Sequence, residues 1–343
     1  MRRLALVALI AAAAVAAHAE DDDASVHGPF EWRERWLLAQ PRFVLAAVSP
    51  ETLGRGVTRA RMDFDWGNDF GVEQSQPGES PTDRRFLVDG EHRSVGFDVR
   101  RGLTDRLDLG MRVPIEWRGG GILDGVIDWF HGFTRRLGLP DNGRGFFLRN
   151  QLRVEGTLAS GAPFVSDVPA GTGLGRIELS SRWALAAPSP SRKGRLAIVT
   201  TLSLPTATGP FATSQLALGL QLVAAQSVGR SGGLYGGVGG TFGDESRRGP
   251  IEYETARAHG FVAFERRFGR RWSAVAQSSA AGRLVSNVAD YPGLQWYLAL
   301  GSRLNLDSGY SIEAGFTENL ANQQATTDFG VQIGVSRRFG RRQ

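Results

Sequence analysis

The sequence predicts an all-β chain, an antiparallel up-and-down transmembrane β-barrel of about twelve strands with a short amphipathic helical insert in an external loop. Segments of roughly ten residues alternate apolar and polar side chains, and turn residues separate them. The start of the chain also reads as an export signal. Composition agrees: 45 glycines and only 41% hydrophobic residues suit a dense soluble core poorly. They suit a barrel, where half of every strand faces a polar interior.

Arg2 and Arg3 open the signal, Leu4 to Ala17 form its apolar run, and Ala17-His18-Ala19 supplies the cleavage pattern. The run is shorter than the ~20 residues a spanning helix needs, so residues 1–19 read as a cleaved signal peptide. No apolar stretch long enough for an inner-membrane helix follows. The chain has no cysteine, which excludes a lipoprotein anchor, a disulfide framework and thiolate chemistry. Loss of Arg2 and Arg3 with the signal lowers the formal charge from +5 to +3. Nearly all basic residues are arginine, Lys193 being a rare exception, and no basic run is interleaved with aromatics, so nucleic acid is not a partner.

The alternation starts near residue 57. Ala60, Met62, Phe64 and Trp66 share one parity, and Arg59, Arg61, Asp63 and Asp65 the other. Successive strand side chains point to opposite faces, so one set faces lipid and the other the lumen. Leu107 to Trp117 repeats the split against Asp108, Arg112 and Glu116. Ile177, Leu179 and Trp183 oppose Arg176, Glu178 and Arg182, and Trp296 to Leu304 oppose Gly301 and Arg303. A soluble sandwich also alternates, but here the polar face carries opposed charges and glycines. The apolar strands also tend to end in Trp, Tyr or Phe, as an interfacial girdle requires. Phe329 to Val335 continue one parity to Phe339, an amphipathic last strand resembling the insertion signal of outer-membrane barrels, although four residues follow it.

Short turns are expected at 102–105, 229–232, 268–271 and 307–309, and longer loops at 67–84, 243–256, 282–294 and 318–326. Their alternation gives an even strand number with both ends periplasmic. Leu152 to Leu158 reads either as a further strand or as an extension within a loop, so ten and fourteen strands remain open. Residues 20–56 do not fit the repeat. They form a periplasmic or plug-like segment, with Phe43 to Val48 a candidate short strand, and 57–343 form the barrel.

Between about 119 and 148 the period changes. Ile122, Leu123, Val126, Ile127, Phe130 and Leu137 recur at helical spacing, and Pro140-Asp141-Asn142-Gly143 ends the helix. Asp124, Asp128 and His131 share its other face. They are either a two-carboxylate, one-histidine cluster or a solvated face, and the solvated face is the better reading. Gly120-Gly121-Ile122-Leu123-Asp124-Gly125, Phe130-His131 and Asp141-Asn142-Gly143-Arg144 resemble the insert of an outer-membrane barrel family, domain of unknown function 3187. The Gly102-Leu103-Thr104-Asp105 turn and Leu204-Pro205-Thr206 are similar to that family too. The resemblance implies a fold and an outer-membrane location and carries no activity.

The interior candidates are Arg59, Arg61, Asp63, Asp65, Asp98, Arg100, Asp108, Arg112, Glu116, Arg176, Glu178, Arg182, Glu265, Arg303 and Glu313. Buried charges of opposite sign must pair. Twelve strands also enclose less space than the 16–18 of open porins, so a constricted or plugged lumen is expected. Three functions follow: a narrow or gated small-molecule channel of unknown substrate, a structural or partner-binding barrel, and, least favoured, a lipid-modifying enzyme. For the enzyme, His27, His92, His131 and His259 lack a nucleophile motif around them. No catalytic residue, cofactor or metal is expected. The expected partners are outer-membrane lipid, lipopolysaccharide and, during insertion, the barrel assembly machinery.

Overall fold

A computed structural model describes residues 27–73, 86–125, 129, 132, 136, 148–166, 168–186, 194–289, 291, 293–321 and 326–340. Twelve antiparallel strands close into a barrel. In chain order they begin with β1 (Thr58–Glu73), β2 (Phe86–Gly102) and β3 (Leu107–Gly119). The short strands β4 (Arg153–Thr157), β5 (Pro163–Ser166) and β6 (Gly171–Leu174) precede β7 (Glu178–Ala184), β8 (Gly194–Ser203), β9 (Ala217–Val228) and β10 (Gly232–Phe242). The hairpin of β11 (Arg247–Arg248) and β12 (Ile251–Glu252) leads to β13 (Ala256–Phe268), β14 (Trp272–Gly282), β15 (Leu294–Asn305), β16 (Tyr310–Ala321) and β17 (Phe329–Phe339). Closure is made by β1 against β17, from Thr58 opposite Phe339 to Asn68 opposite Phe329.

The parity read from sequence is the parity of the wall. Met62, Phe97, Val99, Leu109, Met111, Trp183, Leu218, Leu220, Trp296 and Phe316 form an exposed apolar belt, and their strand neighbours point inward. Gly229, Gly269 and Gly309 sit in short turns at positive φ, which glycine adopts without steric cost. β3 pairs with β7 only from Leu107 to Arg112 and with β6 from Ile115 to Arg118. Pro114 lies at this break, without an N–H to donate, and its carbonyl accepts from Gly175 N at 2.8 Å.

Strands β1 and β2 run further than the predicted loop allowed, pairing as far as Glu73 and Phe86. Their polar ends are satisfied internally: Asp69 accepts from Leu37 N and Glu91 from Ile122 N. Segment 152–158 contributes β4, which pairs with the tip of β2 and with β5 inside the loop layer and adds no wall strand. Phe43 to Val48 forms no strand among the described residues. Its backbone is served by wall and chain side chains: Phe43 N donates to Asp244, Gln221 donates to Ala46 O, and Arg33 donates to Val44 O.

Candidate functional site: the filled lumen

Residues 27–54 lie inside the barrel as an extended hairpin that joins no sheet. Its first leg starts at the short-turn end, where His27 N and Gly28 N donate to Glu265 at 2.7 and 2.9 Å. It reaches the long-loop end at Trp36, where a tight turn is fixed by Ala39 N and Gln40 N donating to Trp36 O. The second leg returns, and Thr52 donates to the Asp105 carbonyl in the short turn after β2. Gly56 N then pairs with Gly102 O and leads the chain into β1.

The first leg is two-sided because it is extended, so its side chains alternate. Glu31, Arg33 and Arg35 face the charged wall of β1, β3 and β7, with Glu31–Arg59 at 2.6 Å, Arg33–Glu178 at 2.8 Å and Arg35–Glu116 at 2.5 Å. Phe30 and Trp32 face β14 to β16. Trp32 tilts on Tyr297 at 4.9 Å between ring centroids, and a Cβ on Gly301 would meet Phe30 at 2.9 Å. Glu34 pairs with Arg257 at 2.7 Å and accepts from the Tyr297 hydroxyl. On the second leg, Phe43 and Leu45 occupy the space a side chain at Gly219 would need. Ala46 to Val48 pack against Ala197, Val199, Val223, Tyr235 and Phe261. The lumen therefore has a side dense in ion pairs along β1, β3 and β7 and a more apolar side along β8 to β10. Glu34–Arg257 and Glu265–Arg303 carry charge pairs onto β13 and β15.

The hairpin's tip is also the centre of the loop layer. Trp36, Leu37, Leu38 and Ala39 form one buried cluster with Phe86, Val154, Phe164, Ile251, Tyr253, Leu284, Val285 and Tyr291. Arg42 fastens the neighbouring loop, 3.5 Å from Asp244 and stacked 5.0 Å over the Tyr253 ring. Three gaps between hairpin and wall hold about 30 Å³ each, room for a water molecule. A wider space of about 230 Å³ opens at the short-turn mouth, beside His27, Arg59 and Tyr310.

The interior candidates fall where parity places them. Arg112 grips Asp63, Arg61 meets Glu313 at 2.6 Å, Arg100 meets Asp108 at 3.0 Å, and Arg303 bridges Glu265 and Glu313. Arg176 pairs with Asp244, and Asp65 lies 3.8 Å from Arg35. Asp98 and Arg182 are buried without a described ion pair; Arg182 donates to the Glu51 carbonyl at 2.6 Å. Sequence reading missed the partners Glu31, Arg33, Glu34 and Arg35, although the alternation of aromatic and charged residues from Phe30 to Trp36 was visible.

In the insert, Asp124, Gly125, Trp129, Gly132 and Arg136 are helical. Asp128 and His131 lie outside the described residues. Asp124 is buried away from solvent and ties the loop base together, accepting from Asn68 at 3.1 Å and from Asn150 N at 2.5 Å. That is a structural duty, which replaces the solvated-face reading for this residue. Among the described residues no His, Cys, Asp and Glu group could hold a metal. No described helix is long and apolar enough to cross a membrane.

Residues 5–339 match the family described as Protein of unknown function (DUF3187). The chain belongs to this family. The fold is also similar to the COG4313 outer membrane channel from Pseudomonas putida F1, at TM-score 0.56 and 12% identity, over 84% of this chain and 97% of that one. The Pseudomonas putida toluene transporter TodX matches at TM-score 0.43 and 10% identity, covering 85% and 93%. The CymD monoaromatic hydrocarbon channel matches at TM-score 0.40 and 11% identity, covering 85% and 90%. No curated protein matches the sequence.

Proposed function

We propose that this family member is an outer-membrane channel for small molecules, held closed by its own N-terminal hairpin. In this reading the chain is exported with residues 1–19 as its signal. The short turns face the periplasm and the long loops the outside, the usual orientation of such barrels. The observation that carries the reading is the mode of attachment. Residues 27–49 fill the bore through side chains and glycine-lined contacts, so the hairpin can move without breaking a wall strand. Phe30, Trp32, Trp36, Phe43 and Leu45 each contribute about 1.5–3 kcal/mol when buried, so the closed form dominates until a ligand or partner favours the open one.

The wall's two sides suit an amphipathic solute, with an apolar body along β8 to β10 and a polar group among the arginines and carboxylates of β1, β3 and β7. The fold similarity to a channel supports a conduit over an enzyme.

Planar-bilayer conductance tests the reading. A chain lacking residues 27–49 is expected to give discrete openings where the intact protein is mostly silent. In the full-length protein, Phe43→Cys with Ala217→Cys, two residues packed together on hairpin and wall, joined by a short thiol-reactive bifunctional cross-linker, is expected to abolish any remaining openings; the chain has no cysteine of its own to interfere. Silence from both the shortened and the intact protein would sink the channel and leave a rigid structural barrel.

A further inference from the structure

The outer face of the wall carries a notch beside an arginine that lacks a carboxylate partner among the described residues. Arg101, Leu109, Ser181 and Thr200 stand in one register row across β2, β3, β7 and β8. The next row inward from the turn is Val99, Met111, Leu179 and Leu202, and the row nearer the turn includes Leu107, Trp183 and Ile198. Large apolar side chains thus flank Ser181 and Thr200, and the short pair leaves a hollow of about 540 Å³ lined also by Gly110 and Ser180. The hollow is an open groove on the outer face, shallow enough for an acyl chain to lie along it.

Arg101 lies at the edge of this hollow, one residue before the turn that starts at Gly102. It is exposed, and its described hydrogen bond is to the Thr58 hydroxyl at 3.5 Å. Arg337 offers a contrast on the same rim: its guanidinium is stacked 4.8 Å from Tyr310 and 5.0 Å from Phe339. An arginine stem lies readily along apolar surface while its head seeks the interface, and guanidinium matches phosphate with paired hydrogen bonds. Trp183, exposed one row away, suits the same headgroup level.

We infer that this notch binds one glycerophospholipid of the periplasmic leaflet, with an acyl chain against Leu109, Met111, Leu179 and Leu202 and its phosphate on Arg101. The inference rests on the membrane-barrel reading but not on gating. The occupant follows from the pairing of an apolar hollow with a cation at its interfacial end. A second barrel would bring the arginine no phosphate.

The full chain, reconstituted in nanodiscs of phosphatidylethanolamine and phosphatidylglycerol and then released for native mass spectrometry, provides the test. The intact protein is expected to retain one lipid. Arg101→Ser and Ser181→Phe, which fills the hollow, are expected to lower that occupancy about tenfold, whereas Arg337→Ser leaves it unchanged. Equal retention by all four proteins would overturn the site, as would a lipid-free dimer. Failure of the intact chain to insert into the bilayer would overturn the barrel reading along with it, which separates the two failures.

Discussion

Arg112 on β3 reaches over the neighbouring strand β2 and holds Asp63 on β1 with two hydrogen bonds of 2.5 and 2.6 Å. The strand it crosses carries Gly96 directly beneath the guanidinium, where a Cβ would meet Arg112 Nη2 at 2.1 Å. The same device recurs across the barrel seam, where Gly334 on β17 lies under the Arg61–Glu313 pair. These glycines are the flat ground over which arginines staple second-neighbour strands.

Asp63→Ala should therefore destabilise the barrel by about 3–5 kcal/mol, because it strands a buried arginine. Gly96→Ala should cost about 1–3 kcal/mol by pushing that arginine off its partner. The two losses should not add, since both break the same contact. The temperature at which the folded band converts to the unfolded band on SDS gels measures all three variants. Full additivity would mean that Gly96 serves some other purpose.

Gly219 permits the closed state itself. A side chain there would overlap Leu45 Cδ2 at 2.5 Å and Phe43 Cε1 at 2.7 Å, both on the hairpin. Gly219→Leu is thus expected to displace the second leg and raise single-channel open time at least tenfold while the barrel still folds. Gly236→Ala, where an added Cβ lies 3.6 Å from the Phe261 carbonyl, is the silent control. An unchanged open time for Gly219→Leu would argue that the hairpin does not gate.

Trp36 joins the hairpin tip to the loop layer, with ring centroids 6.0 Å from Phe86 and 5.8 Å from Tyr291. Trp36→Ala should cost the layer about 3–5 kcal/mol and expose 148–166 and 244–255 to added protease. Trp36→Phe should stay resistant, because the buried indole N–H has no acceptor among the described residues and its loss removes a desolvation cost. Protease sensitivity equal to that of the unaltered chain in Trp36→Ala would detach the tip from the cap.

Wall strands were legible because their period-two pattern recurs from strand to strand, with mostly apolar side chains on the lipid-facing parity. Each interior candidate could be assigned a side, but not a partner, since pairing depends on which strands become neighbours and on the glycines between them. Arg112 and Asp63 are far apart in sequence, and only the register brings Gly96 between them. The hairpin was harder to read. Its extended legs alternate like strands, yet Glu31, Arg33 and Arg35 seek wall charges instead of ladder partners. Asp124 misled for a related reason: helical spacing says which face a residue occupies, and only tertiary packing says whether Asn68 covers that face.

His27 gives the closed state a pH dependence with a definite sign. Burial at the short-turn mouth, with Arg303 next in effect, lowers its pKa from 6.5 to about 4. The docked hairpin therefore keeps His27 neutral, while a released hairpin protonates near the ordinary value. Above pH 6.5 both forms are neutral and docking is undiminished. As pH falls from 6.5 toward 4, the released form binds the proton and the docked form does not, so docking weakens by up to about 3 kcal/mol. Open probability is expected to rise over that window, and His27→Gln should flatten the rise while leaving the neutral-pH value close to the original. A rise of the same size in His27→Gln would place the acid response on another group.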